Sequence, residues 1–260
     1  MKPFRVFIGY DPAEAVAFHV LCHSIRKHAS IPVAITPLSR NNLRHDFTRE
    51  RSAGESTEFA FSRFLTPYLC DYEGWAAFMD CDMLVREDIA GLASYCSHGN
   101  ERYGVMCVQH DYTPKSGRKF LGAINEPYPR KNWSSVMLFN NARCRALTPE
   151  IVNDATGPYL HRMQWLADSQ IGGLPSRWNH LVGEYMPDRS AANYHFTLGG
   201  PYFPDYDRGE GADEWWDNFR EMTYAQTAGL SAAATEIRAL SSGPGRRPFR
   251  FNDHIPTTAA

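Results

Sequence analysis

Hydrophobic and polar positions fall into blocks along the first forty residues. Phe4–Ile8 is a short apolar run, Gly9-Tyr10-Asp11-Pro12 breaks it, and Val16, Val20, Leu21 and Ile25 then recur on one side of a helical repeat. Asp11 sits where a helix cap is needed, with Pro12 at the first helical position and Glu14 at the capping-box spacing. The pattern predicts a helix to about Ala29, followed by a strand over Pro32–Leu38. Strand, helix, strand in that order predicts a parallel sheet. Ser39–Thr57 is polar and without period, a loop. Glu58–Leu69 predicts a helix with Pro67 late in it, and the apolar run WAAFMDCDMLV (Trp75–Val85) a buried strand. Asp88–Ser97 predicts a short helix and Tyr103–Val108 a strand. Gln109–Asn132 is a long loop rich in Gly, Pro and charge, and loops of that length are usually functional. Ser135–Asn140 is strand-like, Thr148–Leu166 is helical with an interruption at Gly157-Pro158, and Asn193–Leu198 leads to Gly199-Gly200-Pro201. Asp213–Thr227 predicts a Trp-rich amphipathic helix. From Gly229 on, small residues, Gly and Pro dominate, so a domain over 1–228 and a partly disordered tail over 229–260 are expected.

A chain of 260 residues suits one large domain. The formal net charge is −2 and Lys and Arg form no cluster, which argues against a nucleic-acid partner. No apolar run reaches the length of a membrane span, and MKPFRVFIGYDP has no signal-peptide core. The six cysteines (22, 70, 81, 96, 107 and 144) include no CxxC pair and read as reduced thiols, not a zinc site. Together these point to a cytoplasmic protein. The segment GRRPFRF (Gly245–Phe251) mixes Arg with Phe, the composition of a weak membrane-surface contact or of a solvated tail.

The candidate chemistry starts at Asp80-Cys81-Asp82. The apolar run delivers two carboxylates to the end of a strand that faces the ligand crevice in open α/β sheets. Such a pair repels itself unless a cation sits between, and a divalent metal in such a crevice usually holds phosphate. A solvated turn or a helix cap is the alternative reading. A second copy, Asp205-Tyr206-Asp207, follows turn residues instead of an apolar strand and serves as an internal control. His19, His23 and His28 read as ordinary helix residues.

Four segments line up in order: Gly9-Tyr10-Asp11 after the first strand, Arg63 some seventeen residues before the Asp pair, the Asp pair itself, and His195-x-x-x-Gly199-Gly200-Pro201. In this arrangement the chain resembles the retaining GT-A glycosyltransferases of the glycogenin and lipopolysaccharide-galactosyltransferase type, glycosyltransferase family 8. The resemblance covers residues 4–216 and is strongest in FSRFLTPYL…WAAFMDCDMLV and NYHFTLGGPYF. It implies an α/β GT-A fold, with a single Rossmann-like mixed, mostly parallel sheet flanked by helices.

The resemblance also implies a site. Asp80 and Asp82, with Cys81 between them, match the family's pair that binds Mn²⁺ (or Mg²⁺) and a nucleotide-sugar donor, which the resemblance implies is UDP-linked. His195 matches the third metal ligand, and an imidazole shifts preference toward Mn²⁺. Gly199 and Gly200 match the backbone near the diphosphate, Arg63 the basic residue on donor phosphate or sugar, and Gly9, Tyr10 and Asp11 the nucleobase region. The capping role of Asp11 competes with that last assignment. Asp168 matches the catalytic carboxylate facing the donor sugar. Three departures stand out. Pro201-Tyr202-Phe203-Pro204 replaces the segment that often holds a phosphate-binding Lys, Ser169 stands where the family has Gln, and Trp133 stands at an Asn position. Trp133, Trp165, Trp178 and Tyr202 are candidate acceptor platforms or core residues. The implied acceptor is a glycan, a lipid-linked sugar, a protein or a small molecule. A DxD-dependent phosphohydrolase, a sugar-nucleotide nucleotidyltransferase and a non-catalytic nucleotide- or glycan-binding domain are the rival readings.

Overall fold

The computed structural model describes residues 2–51, 55, 57–115, 117–122 and 125–223. Met1–Phe219 packs as one unit, and Arg220–Ala260 is a separate one whose described part, 220–223, ends the last helix. The expected boundary at 228/229 and the expected disordered tail lie outside the described residues.

The chain opens with strand β1 (Phe4–Gly9), a 3-10 turn at Pro12–Glu14, helix α1 (Ala15–His28) and strand β2 (Val33–Leu38). β1 pairs parallel with β2, Phe4 opposite Val33. Asp11 caps the turn, its Oδ1 accepting the Ala13 N–H at 2.9 Å. Glu14 does not close a capping box. Its carboxylate instead accepts the Tyr202 hydroxyl at 2.5 Å.

Glu58–Leu69 is not a helix but a series of turns with short 3-10 pieces at Ser62–Leu65 and Tyr68–Cys70. Pro67 has no N–H to offer the Arg63 carbonyl, so Thr66 takes it with both its N–H and its hydroxyl, tightening the turn. The run Trp75–Val85 is also two elements. β3 (Trp75–Met79) belongs to the main sheet, β4 (Met83–Val85) to a smaller one, and Asp80-Cys81-Asp82 is the crossing between them.

The remaining elements are α2 (Ala90–Ala93), β5 (Val105–Cys107), β6 (Val136–Asn140), α3 (Pro149–Asp154), α4 (Gly157–His161), β7 (Ile171–Gly173), β8 (His180–Leu181), β9 (Asn193–His195) and α5 (Ala212–Thr223). Gly157-Pro158 begins α4 instead of breaking a longer helix, with Thr156 capping it. The main sheet has the order β2-β1-β3-β6-β5-β7. Only β6 runs against its neighbours, β3 and β5; the other pairs are parallel. The second sheet has the order β4-β9-β8. α1 is tied to β4 through Ser24, whose Oγ accepts the Val85 N–H at 3.2 Å and donates to the Leu21 carbonyl.

The core lies where β1, β3, β5 and β6 meet the turns around residue 60. Phe64, Phe78, Met79, Leu138 and Phe139 are fully buried there. The six cysteines are free thiols. Among the described residues no helix is long and apolar enough to cross a membrane.

Candidate functional site

The site forms where the two sheets meet. The Asp80 N–H donates to the Ser135 carbonyl, carrying the β3–β6 ladder one residue further. On the other side, β4 runs antiparallel to β9 with Met83 opposite His195, and the Phe196 N–H donates to the Asp82 carbonyl. This register brings His195 beside the two carboxylates although it is more than a hundred residues away in the chain. One ligand atom from each of Asp80, Asp82 and His195 lies within 4.8 Å of the others. His195 Nε2 is 3.4 Å from Asp82 Oδ1 and 4.0 Å from Asp80 Oδ2.

The imidazole is held from behind. His195 Nδ1 lies 2.9 Å from Asn179 Oδ1, an amide oxygen that only accepts, so Nδ1 carries the proton and Nε2 faces the carboxylates. Asn179 is itself fixed, donating to Ser135 Oγ at 2.7 Å, which donates to the Asn132 carbonyl. Metal-binding histidines are oriented in this way. Asp80 Oδ1 is buried and accepts no aligned hydrogen bond; its neighbour is the Arg63 guanidinium, 2.7 Å away. Two carboxylates and an imidazole nitrogen are a donor set that fits a divalent metal ion.

Arg63 is buried beside this group. Its Nη1 donates to the Ser134 carbonyl at 2.8 Å and lies 2.7 Å from Asp80 Oδ1. Its Nε donates to the Ala60 carbonyl, and the guanidinium rests on the rings of Phe59 and Phe78. The two carboxylates diverge electrostatically. Burial pushes Asp80 up to about 6 despite the Arg63 charge that opposes it. Burial pushes Asp82 up as well, but the charge and hydrogen bond of His195, with the charge of Lys119, hold it below the usual carboxylate range. His161, packed between Phe61 and Phe64, is driven down to about 3 by burial and then by Arg63, so it is neutral.

A cleft of about 340 Å³ opens over Asp80, Asp82, His195 and Arg63 and is also lined by Lys119 and Lys131. The long loop delivers both lysines. Phe120 N–H donates to the Leu198 carbonyl at 2.7 Å, and Glu184 accepts the Lys115 N–H and the Asn125 amide, pinning the loop on both sides of Lys119. Lys119 thus places a cation near the carboxylates where the sequence lacks one after Gly200. Neither Lys119 nor Asn179 is marked by any spacing to residue 80; the loop's length alone hinted at the first.

The other sequence-predicted residues do not line this cleft. Gly9 is required by packing, since a Cβ there would sit 2.2 Å from the Phe59 ring. A Cβ on Gly200 would sit 2.1 Å from the Tyr202 ring, and Gly199, at φ +154°, lies under Tyr206. Gly199 faces a separate cavity of about 360 Å³, shared with Phe196 and Leu198. Tyr10 packs edge-on against Phe18. Both oxygens of Asp11 are taken by backbone, Ala13 N–H and Glu58 N–H, which favours the capping role over nucleobase contact. Cys81 is fully buried in the core, its thiol pushed up by burial. Asp168 has its side chain 84 % exposed and accepts a hydrogen bond from Arg130 at 2.6 Å.

No family model matches the chain. Among solved structures it is similar to the galactosyltransferase LgtC in complex with donor and acceptor sugar analogs, with a TM-score of 0.56 and 11 % identity over 88 % of this chain and 99 % of that one. It is also similar to the bifunctional glycosyltransferase WbbM, with a TM-score of 0.55 and 16 % identity over 90 % of this chain. The glycosyltransferase GlyE of Streptococcus pneumoniae aligns with a TM-score of 0.55 and 13 % identity over 91 % of this chain. The chain spans 51 % of the length of WbbM and 64 % of GlyE. At these identities the likeness establishes the fold, a GT-A α/β fold with a mostly parallel central sheet. Sequence similarity is far stronger to Protein CDI of Arabidopsis thaliana, 49 % identical over 229 residues that cover 85 % of this chain and 87 % of that protein. The chain belongs to the family of Protein CDI.

Proposed function

We propose that this chain is a metal-dependent glycosyltransferase that moves a sugar from a nucleotide-diphosphate donor, a UDP-sugar, to an acceptor hydroxyl with retention of configuration. The observation that carries this reading is the buried Asp80–Asp82–His195 group at the floor of a cation-lined cleft in a GT-A fold. Asp80, Asp82 and His195 would hold Mn²⁺ or Mg²⁺. The bound ion would offset the charge that builds on the diphosphate as the glycosidic bond breaks.

The chain's own residues do the rest. Arg63 holds Asp80 in place and adds positive charge beside it. Lys119 faces the diphosphate and stands in for the missing Lys after Gly200. Asn179 keeps the His195 lone pair aimed at the site. The acceptor oxygen bonds to the anomeric carbon from the face the diphosphate leaves. The anomeric C–O bond breaks with its electron pair going to the phosphate oxygen, and that oxygen takes the acceptor proton. Asp168, exposed and paired with Arg130, has no part in a covalent intermediate in this reading. The acceptor is a glycan, lipid-linked or protein hydroxyl, and the setting is cytoplasmic.

The test is turnover of a panel of UDP-sugars with Mn²⁺, followed by proton NMR of the product's anomeric centre. Release of UDP that EDTA and Asp82→Asn both abolish, with the donor's configuration kept in the product, supports the reading. Phosphate-ester hydrolysis at the same Asp pair without any sugar transfer would replace it with the phosphohydrolase.

A further inference from the structure

Lys131 is a buried charged residue of the cleft whose presence the diphosphate reading does not account for. It is 7 % exposed and lines the cleft wall. Its Nζ donates to the Glu126 carbonyl at 2.9 Å and sits 4.5 Å over the Tyr128 ring. An ammonium has three N–H donors, so two remain for another partner. Among the described residues no carboxylate lies within ion-pair distance of it. The charges that act on it are Lys119, which repels, and Glu184 and Glu126, which attract from further away. Glu184 is already engaged by the Lys115 N–H and the Asn125 amide. Burial and then the Lys119 charge bring Lys131 down to about 8, so it is still mostly charged at neutral pH.

A desolvated ammonium without a counter-ion is costly, and such a group in a cleft is a candidate for ligand recognition. The charge inventory points the same way. The cleft is lined by the cations Arg63, Lys119, Lys131 and Arg162 and by the carboxylates Glu55, Asp80 and Asp82. Positive groups exceed negative ones by one. A divalent ion adds two charges, a nucleotide diphosphate removes two, and one positive charge is left without a partner. Lys119 is the lysine whose charge pulls on both Asp80 and Asp82. Arg162 is only half-buried, so solvent screens its charge, whereas Lys131, buried and held toward Tyr128 and Glu126, is left for a group beyond the diphosphate.

We propose that Lys131 recognises a carboxylate on a sugar bound in this cleft, so that the enzyme handles a uronic acid. A carboxylate would take both free N–H donors in charge-assisted hydrogen bonds. The acid belongs either to the donor sugar or to the acceptor. The inference rests on the nucleotide-sugar reading of the site.

Isothermal titration in the presence of Mn²⁺ separates the cases. UDP, UDP-glucose and UDP-glucuronic acid are compared on the wild-type chain, on Lys131→Met and on Lys131→Arg. The expected result is a preference of at least about tenfold for UDP-glucuronic acid over UDP-glucose. That ratio falls to near one in Lys131→Met and is partly restored in Lys131→Arg. Equal affinity for the two donors, together with glucuronate binding to the UDP-loaded protein that Lys131→Met abolishes, also supports the role and assigns the acid to the acceptor. Equal donor affinities and no glucuronate binding overturn the proposal while UDP binding leaves the transferase reading standing. Failure of UDP to bind overturns both. Melting curves of each variant separate lost recognition from lost folding, and Lys131→Arg keeps the charge where Met does not fold.

Discussion

Asp80-Cys81-Asp82 and Asp205-Tyr206-Asp207 share a carboxylate spacing and little else. The first crosses from β3 to β4, with backbone bonds to Ser135 and Phe196 on either side and His195 brought in by the β4–β9 register. The second sits in a 3-10 turn at Pro204–Tyr206, with both carboxylates exposed. A charge in the turn is solvated and costs nothing to keep. A charge in the crossing is desolvated, and its neighbours decide whether it can persist. The apolar strand before the motif makes the difference, because it buries the carboxylates where two sheets can supply them with partners.

The largest expected effect comes from breaking the buried copy. Asp82→Asn keeps the shape but removes the charge, and it should lower Mn²⁺-dependent UDP affinity by at least about a hundredfold, more than an outer partner is worth. Titration of Mn²⁺ against Asn179→Ala should show the next effect, a loss of about 10- to 100-fold, because the imidazole is no longer aimed. Arg63→Met tests stability instead. It leaves Asp80 buried without its counter-charge and should cost about 3–5 kcal/mol in urea unfolding at pH 7, with a smaller loss at pH 4, where Asp80 is protonated.

Glu14 sharpens the comparison from outside the metal group. Burial first, then the Asp82 charge, push its carboxyl from 4.5 up to about 8. The folded chain holds that proton to about pH 8, whereas the unfolded chain releases it near 4.5. The stability it confers is therefore full below about 4.5 and is lost as pH rises through about 8. Glu14→Gln stays neutral throughout and still accepts from Tyr202. With EDTA present its unfolding free energy should exceed the wild type's at pH 8 to 9, by on the order of a few kcal/mol, and equal it at pH 4. The smallest effect belongs to the exposed copy: Asp205→Asn with Asp207→Asn should leave both melting temperature and UDP affinity unchanged.

Much of the frame could be read along the chain because it is local. β1, α1 and β2 follow from apolar periodicity, a cap and a proline, and the strand before Asp80 follows from its apolar run. Asp80, Asp82, Arg63 and His195 were nameable through motif resemblance, and the structure brings these four together. What was not legible depends on distant contacts. The split of Trp75–Val85 into two sheets is set by β9, and Lys119 and Asn179 reach the site through loops with no fixed spacing to it. Gly9, Gly199 and Gly200 look like ligand glycines in sequence, yet the rings of Phe59, Tyr206 and Tyr202 occupy the space a Cβ would need. The turns after Glu58 defeat helical periodicity because Pro67 withholds one N–H and Arg63 binds the carbonyls.

The central claim is that the buried Asp pair, and not the exposed one, holds a metal that holds a nucleotide diphosphate. Titration of UDP into the wild-type chain, with Mn²⁺ and with EDTA, and into Asp82→Asn with Mn²⁺, tests it directly. The account predicts binding that requires both Mn²⁺ and Asp82. UDP binding that survives EDTA and Asp82→Asn, or no UDP binding under any of these conditions, would contradict it.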